Sequence, residues 1–112
     1  MSTQIKIKTK KLSPKVMEKV FSQVSQFFSL LAEPSRLKII YSLCDGEKSV
    51  NDVLDVCGSS QANISRHLAS LHRAGILARR KEGVTVFYSI QDEATLEICQ
   101  TVCARVVDEM NV

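Results

Sequence analysis

Residues 49–75, SVNDVLDVCGSSQANISRHLASLHRAG, constrain the fold more than any other part of the chain. Ser49 precedes a short apolar segment, Asp52 stands where its capping partner belongs, and Gly58 ends the segment. Short polar side chains accept from the free N–H groups of a first helical turn, and glycine readily takes the left-handed conformation that closes a helix. Ser59 or Ser60 then caps a second segment, in which Ile64, Leu68 and Leu71 recur at helical spacing before Gly75 stops it. Only a tight turn around Gly58 fits between the two segments. Two short helices joined in this way form a helix-turn-helix.

The flanking sequence completes the fold. Ser13-Pro14 reads as an N-cap with proline at the first helical position, and Val16, Val20, Val24, Phe27, Phe28 and Leu31 form one apolar stripe after it. Glu33-Pro34 restarts the chain as a second helix. Its expected inner face is Leu37, Ile40, Tyr41 and Cys44, widened by Ile39 and Leu43, and Asp45-Gly46 ends it. Downstream, residues 76–81 and 84–90 read as strands around a Glu82-Gly83 turn. Val86, Tyr88 and Ile90 share one face, and Arg79, Arg80 and Lys81 crowd the tip. After Gln91-Asp92, residues 93–110 read as a last helix with Leu96, Cys99, Cys103, Val106 and Met110 on a heptad-like seam. The expected fold class is mainly α with a β-hairpin wing, in the order α-α-α-α-β-β-α. It is a winged helix-turn-helix dimerising through its terminal helices. Residues 1–12 are expected to be a basic, flexible arm and residues 13–112 the DNA-binding and dimerisation domain.

Charge and composition narrow the function. The chain has 112 residues and a net charge of +3, with no apolar run that could span a bilayer and no signal-peptide core, so a cytoplasmic protein is expected. Six lysines fall within residues 1–20, and Arg66, Arg73, Arg79, Arg80 and Lys81 fall within 66–81 without one acid. Residues 92–112 carry five acids against Arg105. One basic face suits a polyanion. On the capped helix 61–73, Gln61, Ala62, Ser65, Arg66 and Ala69 lie outside the apolar stripe. They lack the glutamates and lysines that usually coat a solvated helix. Glutamine and asparagine pair with adenine edges, and arginine suits guanine or phosphate. A partner interface would also account for such a face, but the basic hairpin favours double-stranded DNA. No glycine-rich phosphate loop, paired carboxylates or nucleophile–base arrangement emerges, so no enzyme is expected.

At this point LAEPSRLKIIYSLCDGEKSVNDVL, SSQANISRHLASLHRAGIL and RRKEGVTVFYSI together resemble the ArsR/SmtB family of bacterial repressors, over the stretch from about Phe27 to the end of the chain. The resemblance implies a homodimer on a near-palindromic operator, released by a metal, metalloid or thiol-modifying signal. Carried over, it implies DNA contacts by Ser60, Gln61, Asn63, Ser65, Arg66 and His67, with the wing cations Arg79, Arg80 and Lys81.

The family's ligand sets are mostly missing. Ser49-Val50-Asn51 stands where the resemblance implies a Cys-x-Cys, and the last helix has none of the histidines of the zinc class; the chain's two, His67 and His72, lie elsewhere. Four cysteines remain. Cys99 and Cys103, one turn apart, can chelate a soft ion such as arsenite, cadmium or lead if a third thiol joins them. A persulfide- and oxidant-sensing subgroup pairs a cysteine near the second helix with one on the last. Cys44 with Cys99 or Cys103 is similar, although Tyr41 stands where the first cysteine is expected. The expectation is thus a repressor sensing through Cys99, Cys103 and Cys44, with Cys99 and Cys103 as metal candidates. The alternative is that all four cysteines are packing residues and the effector is a small molecule or protein. His72 is expected on a solvated or helix-packing face, and Cys57 in the packing.

Overall fold

Four helix starts are fixed by the side chains that the sequence offers. Ser13, Ser49, Ser60 and Asp92 accept from the backbone N–H of Val16, Asp52, Asn63 and Ala94 at 3.2, 3.1, 3.2 and 3.3 Å. The computed structural model describes residues 11–112. Residues 1–10 of the expected basic arm lie outside them. The elements run α1 (Pro14–Leu31), α2 (Pro34–Ser42), β1 (Lys48–Ser49), α3 (Val50–Cys57), α4 (Gln61–Arg73), β2 (Leu77–Glu82), β3 (Thr85–Ile90) and α5 (Glu93–Met110). The described residues divide into two compact units that meet between Leu30 and Leu31.

In the first unit α1 is an amphipathic helix whose Val16, Val24 and Phe28 are exposed. The second unit is a winged helix-turn-helix. Gly58, at φ +68°, turns the chain between α3 and α4. The core beneath the turn joins Ile39, Ile40 and Leu43 to Val53, Cys57, Ile64, Leu68 and Leu71, and all of these are buried. Ile76, Leu77 and Tyr88 extend it under the hairpin. Each fully buried aliphatic side chain contributes about 1.5–3 kcal/mol relative to exposure.

The α2 inner face differs from expectation. Ile39, Ile40 and Leu43 enter the core, while Leu37, Tyr41 and Cys44 are exposed, Tyr41 at 74%. The helix carries apolar residues on more than one side, and periodicity alone does not say which side meets α3 and α4.

The sheet is antiparallel in the order β1-β3-β2. Its third strand, two residues long, pairs Lys48 with Tyr88 and Ser49 with Phe87 and ties α3 to the wing. Glu82 pairs with Thr85, so the two-residue turn is Gly83-Val84, one residue later than the sequence suggested. Gly83, at φ +62°, supplies the positive φ that type II′ hairpin turns need at their first position. At the far end of the hairpin, the Ile76 carbonyl accepts from Gln91 and Asp92, and the buried Thr95 hydroxyl donates to Asp92 at 2.6 Å. These bonds fix where α5 begins.

Candidate functional site

Ser60 sets the register of α4. Its hydroxyl is occupied by the Asn63 N–H, which makes it the helix cap. From that start, Ile64, Leu68 and Leu71 turn inward with no exposed surface, and Gln61, Ala62, Asn63, Ser65 and Arg66 turn outward. Arg66 donates from Nη2 to Asn63 Oδ1 at 3.2 Å, so these two exposed side chains are held together. Gln61 and Ser65 line one wall of a polar groove of about 360 Å³, with Asn51 of α3 and Thr85 and Val86 of the wing opposite. The groove joins a helix without acids to the hairpin tip. That shape and chemistry can take up a sugar-phosphate backbone or the edge of a base pair.

Two of the expected contacts are placed otherwise. His67 is 3% exposed and points into the protein, where its Nδ1 accepts from Arg36 Nε at 3.0 Å. At three residues beyond Ile64 it falls on the inner side of the helix, so it is not on the outward face. The signal that could have revealed this is the helical spacing itself, which puts residue 67 beside 64, 68 and 71. Burial, followed by the charges of Arg66 and Arg36, pushes the His67 pKa below the ordinary histidine value, while Glu33 opposes the shift.

Arg80 is the second. It lies within β2 and not at the tip. Its Nε and Nη2 donate to both carboxylate oxygens of Glu47 at 3.0 and 2.8 Å, and Nη1 donates to Glu82 at 3.0 Å. The guanidinium also lies 4.5 Å from the centre of the Phe87 ring. Hydrogen bonding from Arg80 holds the Glu47 carboxyl below the usual glutamate value, and the same bonds raise the Arg80 pKa. A two-pronged guanidinium–carboxylate pair is the strong geometry for such a contact. Arg80 therefore braces the wing against the segment before β1. Arg79 and Lys81 are exposed and alternate to the other side of the strand. Neither pairs with a carboxylate among the described residues. Arg80→Ala is expected to speed amide exchange at Thr85–Phe87 and to leave the salt slope of DNA binding unchanged. Arg79→Ala and Lys81→Ala are each expected to lower that slope by about 1 for every phosphate left without its cation. A slope that falls with Arg80→Ala alone would reverse this assignment.

The cysteines gather in a second place. Cys44, Cys99 and Cys103 line a largely apolar cleft of about 190 Å³ between α2 and α5, together with Leu37, Tyr41 and Leu96. All four cysteines are free thiols, and Cys57 is buried apart in the core. Burial, then the neighbouring Cys103, push the Cys99 thiol above its ordinary value, so it is largely protonated at neutral pH. Among the described residues, no three His, Cys, Asp or Glu side chains converge closely enough to hold a metal ion. Beyond the cleft, Val102, Val106, Val107 and Met110 leave apolar surface on α5 exposed.

Comparison with known proteins agrees with this architecture. The profile described as bacterial regulatory protein, arsR family, matches residues 33–79, from the start of α2 into β2. The HTH-type transcriptional regulator KmtR of Mycobacterium tuberculosis is 36% identical over 62% of this chain, which spans 54% of KmtR's length. The uncharacterized HTH-type transcriptional regulator Rv0081 of the same species is 34% identical over 82% of this chain and 84% of its own. The Rv0081 crystal structure matches with a TM-score of 0.69 and 31% identity, over 90% of this chain and 100% of that one. The cadmium resistance transcriptional regulatory protein CadC homolog of Staphylococcus aureus is 40% identical over 69% of this chain and 64% of its own. With its capped α4, its wing and a relative matched over most of both lengths, this chain belongs to the arsR family of bacterial transcriptional regulators.

Proposed function

We propose that the chain acts as a homodimeric repressor that reads a near-palindromic operator and is released by thiol-directed chemistry in the α2–α5 cleft. One observation carries the DNA half of this reading: the exposed, acid-free face of α4 opens into the groove beside the wing. Gln61, Asn63, Ser65 and Arg66 face the major groove in this reading. Ser60 anchors the helix start, and Arg79 and Lys81 reach the phosphates. The apolar side chains left exposed on α1 (Val16, Phe21, Val24 and Phe28) and on α5 (Val102, Val106, Val107 and Met110) support dimerisation. A two-fold axis then sets two α4 helices about one DNA turn apart.

The sensing half rests on three thiols lining one cleft. Two of them, Cys44 with Cys99 or Cys103, close a disulfide by losing two protons and two electrons to an oxidant. With inorganic polysulfide as the oxidant, one thiolate takes its terminal sulfur to form a persulfide while the shortened polysulfide leaves, and the second thiolate then closes the disulfide by displacing that sulfur as hydrosulfide. The donors do not converge on a resident metal ion. A soft cation acting as the signal is the second reading, favoured by the likeness to the cadmium resistance regulator. Shifting α2 against α5 changes the setting of α4, because α2 packs directly on α3 and α4.

The test uses a DNA site selected by the reduced protein from random sequence. Polysulfide is expected to release wild type and not the Cys99→Ser/Cys103→Ser variant. The rate should rise about tenfold per pH unit below the thiol pKa, because the raised pKa keeps Cys99 protonated until alkaline pH. Release by cadmium alone would select the second reading. Release of both proteins alike by every reagent would leave the cysteines as packing residues.

A further inference from the structure

One buried titratable group takes no part in the proposed function. His67 lies in α4, yet its ring is turned away from the DNA-facing side and toward the start of α2. Arg36 Nε donates to its Nδ1 at 3.0 Å. Arginine offers no acceptor and does not lose its proton, so this bond requires a neutral imidazole with a free lone pair on Nδ1. The ring proton then sits on Nε2, and Nε2 lies 3.9 Å from Glu33 Oε1. Glu33 Oε2 is in turn 3.7 Å from Arg36 Nη2. Glu33, Arg36 and His67 are thus linked to one another. Two members stand at the first turn of α2, and the third, on α4, lies one turn beyond Asn63 and directly follows Arg66.

From this geometry we infer that His67 is a positioning residue for DNA binding: its neutral ring latches α4 to the start of α2, and protonation opens the latch. The inference rests on the reading of α4 as the DNA-facing helix. The chemistry is local. A proton on Nδ1 would face the Arg36 N–H with a second donor, so the bond is lost. The resulting imidazolium would be repelled by the charges of Arg66 and Arg36, with Glu33 opposing them. Those are the charged groups that face the ring from α4 itself and from the start of α2. The depressed pKa agrees with the geometry and fixes the sign. Above the ordinary value of 6.5 the ring is neutral in both folded and unfolded chains, and the latch is fully made. As pH falls below that value the unfolded or unlatched form takes up the proton first, and the latch weakens until the folded-state pKa is passed. A loosened α4 no longer holds Gln61 and Arg66 in one orientation, so affinity falls without any change in the residues that touch DNA.

Two measurements test this. The first is an NMR titration of the free wild-type protein. His67 is expected to carry its proton on Nε2 and to titrate below the ordinary histidine range. A proton on Nδ1, or a pKa at or above that range, overturns the latch whatever the protein does with DNA. The second is affinity for the selected DNA site at constant ionic strength, from about pH 7.5 down to about one unit below the His67 midpoint that the NMR titration gives. Wild type and His72→Gln are expected to weaken as pH falls through that midpoint, by up to about tenfold for the unit below it. His67→Asn places an amide oxygen near the Nδ1 position and cannot titrate. It is expected to bind as wild type at the upper pH and to lose the fall. His67→Leu keeps the bulk without the acceptor and is expected to bind weakly throughout. If His67→Asn keeps the wild-type pH dependence, or His67→Leu binds as wild type at the upper pH, the inference is wrong. Failure of the wild type to bind DNA at any pH would overturn the DNA reading instead, and the titration still decides the latch.

Discussion

Leu68→Ala is expected to lower the unfolding free energy by about 2–5 kcal/mol, the range for truncating a fully buried leucine in a core that relaxes only in part. Leu68 has no exposed surface, and neither have Ile64 and Leu71 on the turns either side. The loss is large against the about 5–15 kcal/mol by which a domain of this size is stable. It should appear in urea unfolding as a lower midpoint with an unchanged slope, because the surface exposed on unfolding barely changes. The DNA affinity of the molecules that remain folded should change little, because Leu68 is fully buried and lies on the side of α4 opposite Arg66, while Gln61 is exposed. A cost below about 1 kcal/mol would mean that the core beneath α4 is looser than its burial implies.

The same helix shows what a sequence makes legible. Ser60 at its start and Gly75 past its end bound α4, and its apolar period separates inner from outer side chains. Those are local signals, and they place Gln61, Ser65 and Arg66 on the outer face without a structure. His67 was lost by transferring a role to it as a member of a motif when its helical position put it inside. The partner that satisfies it, Arg36, is 31 residues away. No local pattern announces such a bond. Arg80 was misplaced for the same reason. Its run of three cations reads as a basic tip, but strand alternation splits the run between two sides, and Glu47, 33 residues away, claims the middle one. The two-residue β1 has no periodicity to detect and exists through its pairing with β3. The α2 face was ambiguous because apolar residues occupy both sides of a nine-residue helix. One side builds the core, and the other lines the cleft with the cysteines.

Gln61→Ala and Arg66→Ala are expected to weaken binding to the selected DNA site by about 1–3 kcal/mol for each base or phosphate they reach, or about 5- to 150-fold. Their signatures should differ. Gln61 sits in the first turn of α4 and opens into the groove beside Thr85. An amide there donates and accepts at once, so its loss should relax base preference at one position of each half-site and leave the salt slope alone. Arg66 is one turn further on and donates to Asn63 Oδ1. Its loss removes a charge and also frees the Asn63 side chain, so one change weakens the hold of two side chains on DNA. If Arg66 reaches a phosphate, the slope of log K against log salt falls by about 0.9 for each of the two copies in a dimer. If it reads guanine, the slope stays nearly constant and discrimination at one base pair is lost instead. Lysine cannot replace it in the second case, because the flat two-pronged donor is what matches the guanine edge. Anisotropy titrations with single-base variants of the site, run at several salt concentrations, separate the two roles. Should both alanine variants bind every site as wild type does, α4 does not enter the groove, and its small uncharged face serves a protein partner.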